Sequence, residues 1–488
     1  MSTTLIRGAY TLDPTLPFGQ QDVLIEEDRI VEISDTATAH ADIVINASGK
    51  LVAPGLINSH AHASTALLRG LTDNMPLEPW LLYHLHAGMG KMRPRDLYVS
   101  SAIGAMELLR TGTTCVVEHA HVGGAVENLE SSTDAVAKAF TDAGLRAVLA
   151  PMYSDLRFSQ RVPLDLAGEV PREVLDVLDP LPAVNTAELV QGLRALCGRF
   201  CHRGSLVGMC LGPANPNSCS PELLERTVEL AKEMHLGIHS HLLESKCMRI
   251  HRPSIVNYLK EMGCLGPHVS FAHGVWLDDS DIETLAETGT KLVHNPISNL
   301  KLGSGLAPIQ TLRARGVDVA LGADNAGGAN DSQNMFEVLK CAALINKLYG
   351  PTAQWIGAQD AFEMCLTNGA RVTGQEVGSL KPGSLADIMI MQSDRLFAAA
   401  KDTLVNQLVY TDLGRSVETV IVGGKVVVQD RKVVNLNEEE LYAEAKESCL
   451  RLQDAIPSLD RRLASSLEFL QRMVAAARDR ALPFSRLL

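Results

Sequence analysis

Eight short apolar bursts, each followed by a stretch of helical character, constrain this chain more than any other feature. They are Leu51–Ile57, Thr113–Val117, Ala147–Met152, Leu206–Leu211, Leu236–Ser240, Val269–Ala272, Lys291–Val293 and Val317–Gly322. Such alternation predicts parallel strands joined by crossover helices. Eight of them predict a closed (β/α)8 TIM barrel, in which reactive groups stand at the C-terminal ends of the strands.

The two ends of the chain read differently. Thr4–Arg7, Asp22–Glu26 and Arg29–Ile33 have the texture of short strands, with Glu27-Asp28 at a turn. Asp387–Met391 and Val417–Val428 repeat it, with Gly423-Gly424 between Thr419–Val422 and Lys425–Val428. The expected architecture is α/β in four parts. Residues 1–53 form the N-terminal part of a small β-sandwich, 54–378 the barrel, 379–435 the C-terminal part of the sandwich, and 436–488 a helical tail.

Two helices can be read in detail. Ser220 is a good N-cap, Pro221 suits a first turn, and Leu224, Val228, Ala231 and Met234 recur at helical spacing. The tail opens with Asn437 and Glu440 in capping-box spacing and places Leu441, Ala445 and Leu452 on one face. Such a tail packs on the barrel or on another subunit.

Composition narrows the partners. With 44 Lys and Arg against 57 Asp and Glu, the net charge of −13 disfavours nucleic acid and an anionic membrane surface. A small-molecule ligand is expected. The 10 Cys are scattered through a long chain, which fits reduced thiols in the cytoplasm better than a disulfide framework. Cys197 and Cys201 are the nearest pair, and no second pair stands at zinc-ribbon spacing. The N-terminus has no signal-peptide run and no apolar stretch approaches membrane-spanning length, so a soluble cytoplasmic protein is expected. Low charge density and the helical tail make it a candidate homo-oligomer.

Strand ends select the residues that could do chemistry. His60 and His62 follow the first strand, and in an extended segment positions i and i+2 point the same way. His239, His241 and Glu244 follow the fifth strand, His273 ends the sixth and Asp324 ends the eighth. Taken singly, each is as well explained by a hydrogen-bonded strand end. Taken together, separate strands deliver imidazoles and a carboxylate to one mouth. Three imidazoles and a carboxylate suit one divalent metal ion, zinc foremost and ferrous iron as a substitute. Such an ion makes hydroxide available from its water near neutral pH. Glu244, beside the ligands, is the natural proton carrier.

These segments resemble the amidohydrolase superfamily. Its opening motif is similar to Pro54-Gly55-Leu56-Ile57-Asn58-Ser59-His60-Ala61-His62, and His239–Glu244, His273, Asn295–Asn299 and Asp324 follow in family order. Gly378–Asp387 resembles the strand entry of the family's β-sandwich, so the likeness runs from about residue 20 to about residue 435. It implies that His60, His62, His241 and Asp324 hold the metal, that Glu244 shuttles protons, that Asp324 serves as second base, and that His273 polarises the substrate or orients the water. The subgroup it resembles carries one metal and deaminates or dehalogenates nitrogen heterocycles: purine, pterin and triazine aminohydrolases. Two-metal members carry a Lys at the end of strand four, where this chain has Gly208–Asn215 without one.

One departure bears on the substrate. Methylthioadenosine and adenosylhomocysteine deaminases place a His where this chain has Ala214, which points away from nucleosides. Leu300–Gly305 and Asp324-Asn325 with Asn330–Ser332 resemble triazine hydrolase loops instead. Trp80, Glu118, His119, Tyr153, Asn295 and Asn325 are the substrate-binding candidates, with Asp155 beside them; each could equally be a packing or loop residue. His121 forms a second H-x-H with His119 and is set aside, while His84, His86, His202 and His251 read as surface or packing residues. The expected reaction is hydrolytic deamination of an amino-substituted ring. The alternatives are removal of chloride or alkylamine from a triazine-like ring at the same site, or a scaffold without chemistry. A small zinc nucleic-acid deaminase is disfavoured because no Pro-Cys-x-x-Cys is present.

Overall fold

Gly55 marks the passage of the chain from the sheet built by its ends into a central parallel sheet. A Cβ there would lie 2.1 Å from Thr114 Cγ2, so only glycine lets the chain pass at this point. The expected first strand Leu51–Ile57 is therefore two strands, β5 (Lys50–Pro54) and β6 (Leu56–His62), which belong to different sheets. The sequence pattern missed the break because both halves are equally apolar.

The computed structural model describes residues 2–487 apart from 15, 38–39, 123–125, 181–183, 201–203, 394–400 and 455. His202 and Cys201 lie outside the described residues. The first sheet joins both chain ends. It contains β1 (Thr3–Thr11), β2 (Gly19–Glu26), β3 (Arg29–Ser34), β4 (Ile43–Asn46) and β5 from the N-terminal side. From the C-terminal side it takes β17 (Ile388–Gln392), β18 (Val417–Val422), β19 (Lys425–Gln429) and β20 (Lys432–Val433). The order is β20-β19-β18-β17-β5-β1-β2-β3, with β4 on β1, and β5 and β17 form the antiparallel junction between the ends. The Gly423-Gly424 hairpin is present, both glycines having positive φ.

Parallel strands make up the centre. One sheet runs β10 (Val207–Met209), β8 (Arg146–Leu149), β7 (Thr113–Glu118), β6 and β16 (Asp324–Asn325). Another runs β12 (Ile238–Leu242), β13 (Val269–His273), β14 (Lys291–His294) and β15 (Val319–Leu321). A parallel bridge between Leu211 and Ile238 links the two, and β9 (Met152–Tyr153) pairs with β11 (Gly212–Pro213). The third and fourth strands are thus each broken in two. Pro151 separates β8 from β9 and has no N–H to continue a ladder.

Helices cover these strands as the periodicity required. Ser220 Oγ accepts from Leu223 N–H at 3.1 Å to start the helix Pro221–Met234, which buries Leu224, Val228 and Ala231. The tail is two helices, Glu438–Gln453 and Ile456–Asp479. Asn437 caps the first, and Leu441, Ala445 and Leu452 are buried. The second packs Phe469, Leu470 and Met473 against Leu82, Phe158, Val162 and Leu178, so the tail covers loops at the open end of the parallel strands. Among the described residues no helix is long and apolar enough to cross a membrane.

Candidate metal centre

Three imidazoles meet because β6 and β12 end at the same level. His62 Nε2 lies 3.2 Å from His241 Nε2, and Asp324 Oδ1 lies 3.3 Å from His60 Nε2 and 3.4 Å from His62 Nε2. Ligand atoms about 2.0–2.1 Å from a tetrahedral ion are separated by roughly 3.3 Å, so these spacings fit one divalent ion. β16 pairs with β6, which brings Asp324 opposite Ala61 although the two are 263 positions apart in sequence.

The outer ring nitrogens are already committed. His62 Nδ1–H donates to the carbonyl of His119 and His241 Nδ1–H to that of Ala214 at 2.5 Å. His60 Nδ1 is 2.7 Å from His239 Nε2, and His239 Nδ1 is 2.8 Å from Ser270 Oγ. Protons on each Nδ1 satisfy this relay and leave the Nε2 atoms of His60 and His62 facing Asp324 and that of His241 facing His62. His60 Nε2 is buried without a hydrogen-bond partner. Burial holds His60, His62 and His241 below the usual imidazole range, so all three are neutral, as metal ligation requires.

Two carboxylates of opposite tendency face this centre. Burial pushes Glu244 well up, with the charges of Asp324 and Glu78 acting in the same direction. Asp324 is pulled well down: burial opposes this, but the His60 contact and the His273, His60 and His62 rings outweigh it. An acid and a base thus stand side by side. His273 Nε2 is 3.6 Å from Glu244 Oε2 and 3.8 Å from Asp324 Oδ2, while its Nδ1–H donates to Asn299 Oδ1 at 2.9 Å. His273 and Asp324 both hold positive φ at their strand ends, 76° and 67°, a conformation non-glycine residues rarely adopt.

A cavity of about 290 Å3 opens onto His62, His241, Glu244, His273 and Asp324, and most of its outer wall is apolar. Trp80, Tyr153, Asp155 and Asn325 line it. Tyr153 commits its hydroxyl to Thr227 and Asp155 its carboxylate to Ser220 and Thr186. Asn325 Oδ1 accepts from Thr65 and Gly327, leaving its amide nitrogen buried without a partner. Glu118, His119 and Asn295 are not among the lining residues. Glu118 accepts from the backbone of Ala63 and Ser64, His119 Nε2–H donates to Gly212 at 3.1 Å, and Asn295 lies 3.5 Å from the His273 ring.

His121, set aside from sequence, does line the cavity, its ring 4.8 Å from that of His62. His84 is a packing residue, its ring tilted 30° against that of Trp80 at 4.4 Å, and His86 joins Val177 and Arg462. Among the described residues, ligand atoms crowd together in two groupings that share His60: His60, His62, His119 and His241, and His60, His273 and Asp324. Glu78, at the cavity wall, was missed because an acid in a helical first turn is ordinarily explained by the helix dipole.

A family model of the Amidohydrolase family matches residues 51–427. The chain belongs to this family. Within it, this amidohydrolase is 36% identical over 458 residues to a 5'-deoxyadenosine deaminase of Methanothermobacter thermautotrophicus, covering 92% of this chain and 98% of that protein. A 5-methylthioadenosine/S-adenosylhomocysteine deaminase of Thermococcus kodakarensis is 34% identical over 433 residues, 88% of this chain and 94% of that protein. The crystal structure of a zinc-complexed atrazine chlorohydrolase from Arthrobacter aurescens TC1 superposes with a TM-score of 0.80. It is 25% identical and covers 91% of this amidohydrolase and 100% of that chain.

Proposed function

We propose that this amidohydrolase hydrolytically deaminates an amino-substituted nitrogen heterocycle. The observation that carries the reading is the convergence of His60, His62, His241 and Asp324 with two carboxylates of opposed proton affinity at the floor of one cavity. Those four residues would hold one zinc ion, with ferrous iron as the alternative. When bound, the ion supplies a hydroxide nucleophile near neutral pH. Glu244, held protonated by burial, donates to a ring nitrogen as the carbon next to it is attacked. Asp324, held ionised, accepts the proton of the incoming water, and His273 Nε2 orients that water and balances the charge that develops. Ammonia leaves.

Trp80 and Asn325 are the substrate contacts that the cavity lining supports, by stacking and by an amide donor. Tyr153 contributes ring surface. The fold that supports this chemistry is a closed (β/α)8 barrel over residues 54–378, a β-sandwich from 1–53 and 379–435, and a tail from 436. Support for closure comes from the Leu211–Ile238 bridge at one seam and the β16–β6 pairing at the other. Free thiols at Cys115, Cys219, Cys247, Cys264 and Cys365 agree with a cytoplasmic location, and the exposed Leu344, Leu348 and Trp355 with a homo-oligomer.

The names of the relatives favour an adenine-bearing substrate, and Ala214 favours a bare ring. A panel of 5'-deoxyadenosine, free aminopurines, pterins, aminopyrimidines and triazines, assayed for ammonia with zinc restored, separates them. A second reading, displacement of chloride or alkylamine from a triazine, draws on the likeness to the atrazine chlorohydrolase. Release of chloride or alkylamine in the same panel, without ammonia, would replace the first reading by the second.

A further inference from the structure

The turn that delivers Glu244 is strained. Leu243, between β12 and Glu244, has φ 46°, a left-handed conformation that a branched side chain adopts only when its surroundings impose it. Two clamps hold the turn. On the strand side, Gly274 N–H donates to the Leu242 carbonyl at 2.9 Å and Trp276 N–H to the Leu243 carbonyl at 3.0 Å. On the helix side, Ser245 caps the helix Lys246–His251: its Oγ accepts from Met248 N–H at 3.3 Å and donates its own proton to Glu78 Oε1.

Glu78 is unusual in its own right. It lies in the first turn of the Leu77–Ala87 helix, only 2% exposed, with no Lys or Arg nitrogen within 4 Å among the described residues. With Arg478 acting on it only at longer range, this buried carboxyl is costly unless hydrogen bonds offset its desolvation. Its oxygen meets the residue that follows Glu244, and its side chain lines the same cavity as Glu244.

We infer that Glu78 is a positioning residue for Glu244: through the Ser245 hydroxyl it pins the strained Leu243 turn and so fixes the Glu244 carboxyl against His273. The inference rests on the proton-transfer role of Glu244 proposed above. It assigns Glu78 neither metal nor a reacting proton. Loss of the hydrogen bond lets the Leu243 turn relax toward an ordinary conformation, which swings Glu244 while leaving the four ligand side chains on their strands.

The test measures kcat, KM, metal per chain and thermal unfolding in the full-length zinc-loaded protein. Glu78→Leu and Ser245→Ala are expected to lower kcat about 10- to 100-fold, with KM within about twofold and metal content unchanged. Glu78→Gln, whose amide oxygen still accepts from Ser245, is expected to recover kcat to within about threefold of the parent, and the double variant E78L/S245A to fall no further than either single one. A parental kcat in Glu78→Leu overturns the inference. So does a raised KM at unchanged kcat, which would place Glu78 against the substrate, and so does a Glu78→Gln as slow as Glu78→Leu. If Glu78→Leu does not fold, Ser245→Ala decides, and an unchanged kcat there overturns the inference. Glu244→Gln is run alongside. If it is fully active, the proton-transfer reading fails; if it is inactive while Glu78→Leu matches the parent, only the positioning role fails.

Discussion

Arg146 and Asp387 form a buried two-pronged ion pair, Nε 2.9 Å from Oδ2 and Nη2 3.0 Å from Oδ1. Arg146 begins β8 in the parallel sheet, and Asp387 directly precedes β17 in the sheet made from the chain ends. Asp387 has no exposed side-chain surface and also accepts from Gly423 N–H at 2.8 Å, so every prong of the pair is satisfied. Removing one partner strands the other charge in the interior. Asp387→Ala is expected to lose about 3–5 kcal/mol of stability, read from urea unfolding. A loss below about 0.5 kcal/mol would show that the two sheets are held by apolar packing alone.

Metal content separates ligands from proton carriers. His241→Ala and Asp324→Ala are each expected to purify with less than about one tenth of the parental zinc, because a site missing one of four donors holds its ion far more weakly. Glu244→Gln should keep the full zinc complement and lose activity by about 100-fold or more. Elemental analysis of the three proteins, prepared alike, checks both statements. Parental zinc in Asp324→Ala would remove it from the ligand set.

Gly55 is predicted to tolerate no side chain. Gly55→Ala sets a methyl 2.1 Å from Thr114 Cγ2 and 2.2 Å from Oγ1, in a region with no room to move. The cost should be about 1–3 kcal/mol, and Thr114→Ala in the same chain should return part of it. Paired unfolding curves measure the recovery.

Docking of the tail should respond to acid. Burial raises the pKa of Asp96, but the Arg93 N–H, Ser448 and Arg451 lower it further, and the net shift is downward. A depressed folded pKa means that the contribution is fully present above the unfolded value of about 3.9 and is lost as pH falls through the folded one. The stability difference between the parent and Asp96→Asn should therefore be constant near neutrality, begin to shrink only below about pH 4 and vanish as the folded carboxyl takes up its proton at lower pH. A difference that persists at pH 2 would mean that shape, not charge, holds Ser448 and Arg451 to this helix.

Much of the site could be read along the chain because the rules that place it act over a few residues. His60 and His62 share a direction because side chains in a strand alternate, and Asp324 is marked by an acid ending an apolar run. Ser220 and Asn437 announce their helices through hydrogen bonds that close within three residues. Other assignments depended on neighbours far away in sequence. Glu118 turned out to be occupied by the amides of Ala63 and Ser64, His239 to buttress His60, His121 to face the cavity, and Leu51–Ile57 to split at Gly55. The chain alone determined which side chains end the strands, since periodicity and capping are local. Only the folded structure decided which of them meet, because pairing β16 with β6, or Glu78 with Ser245, depends on packing between segments that no local pattern connects.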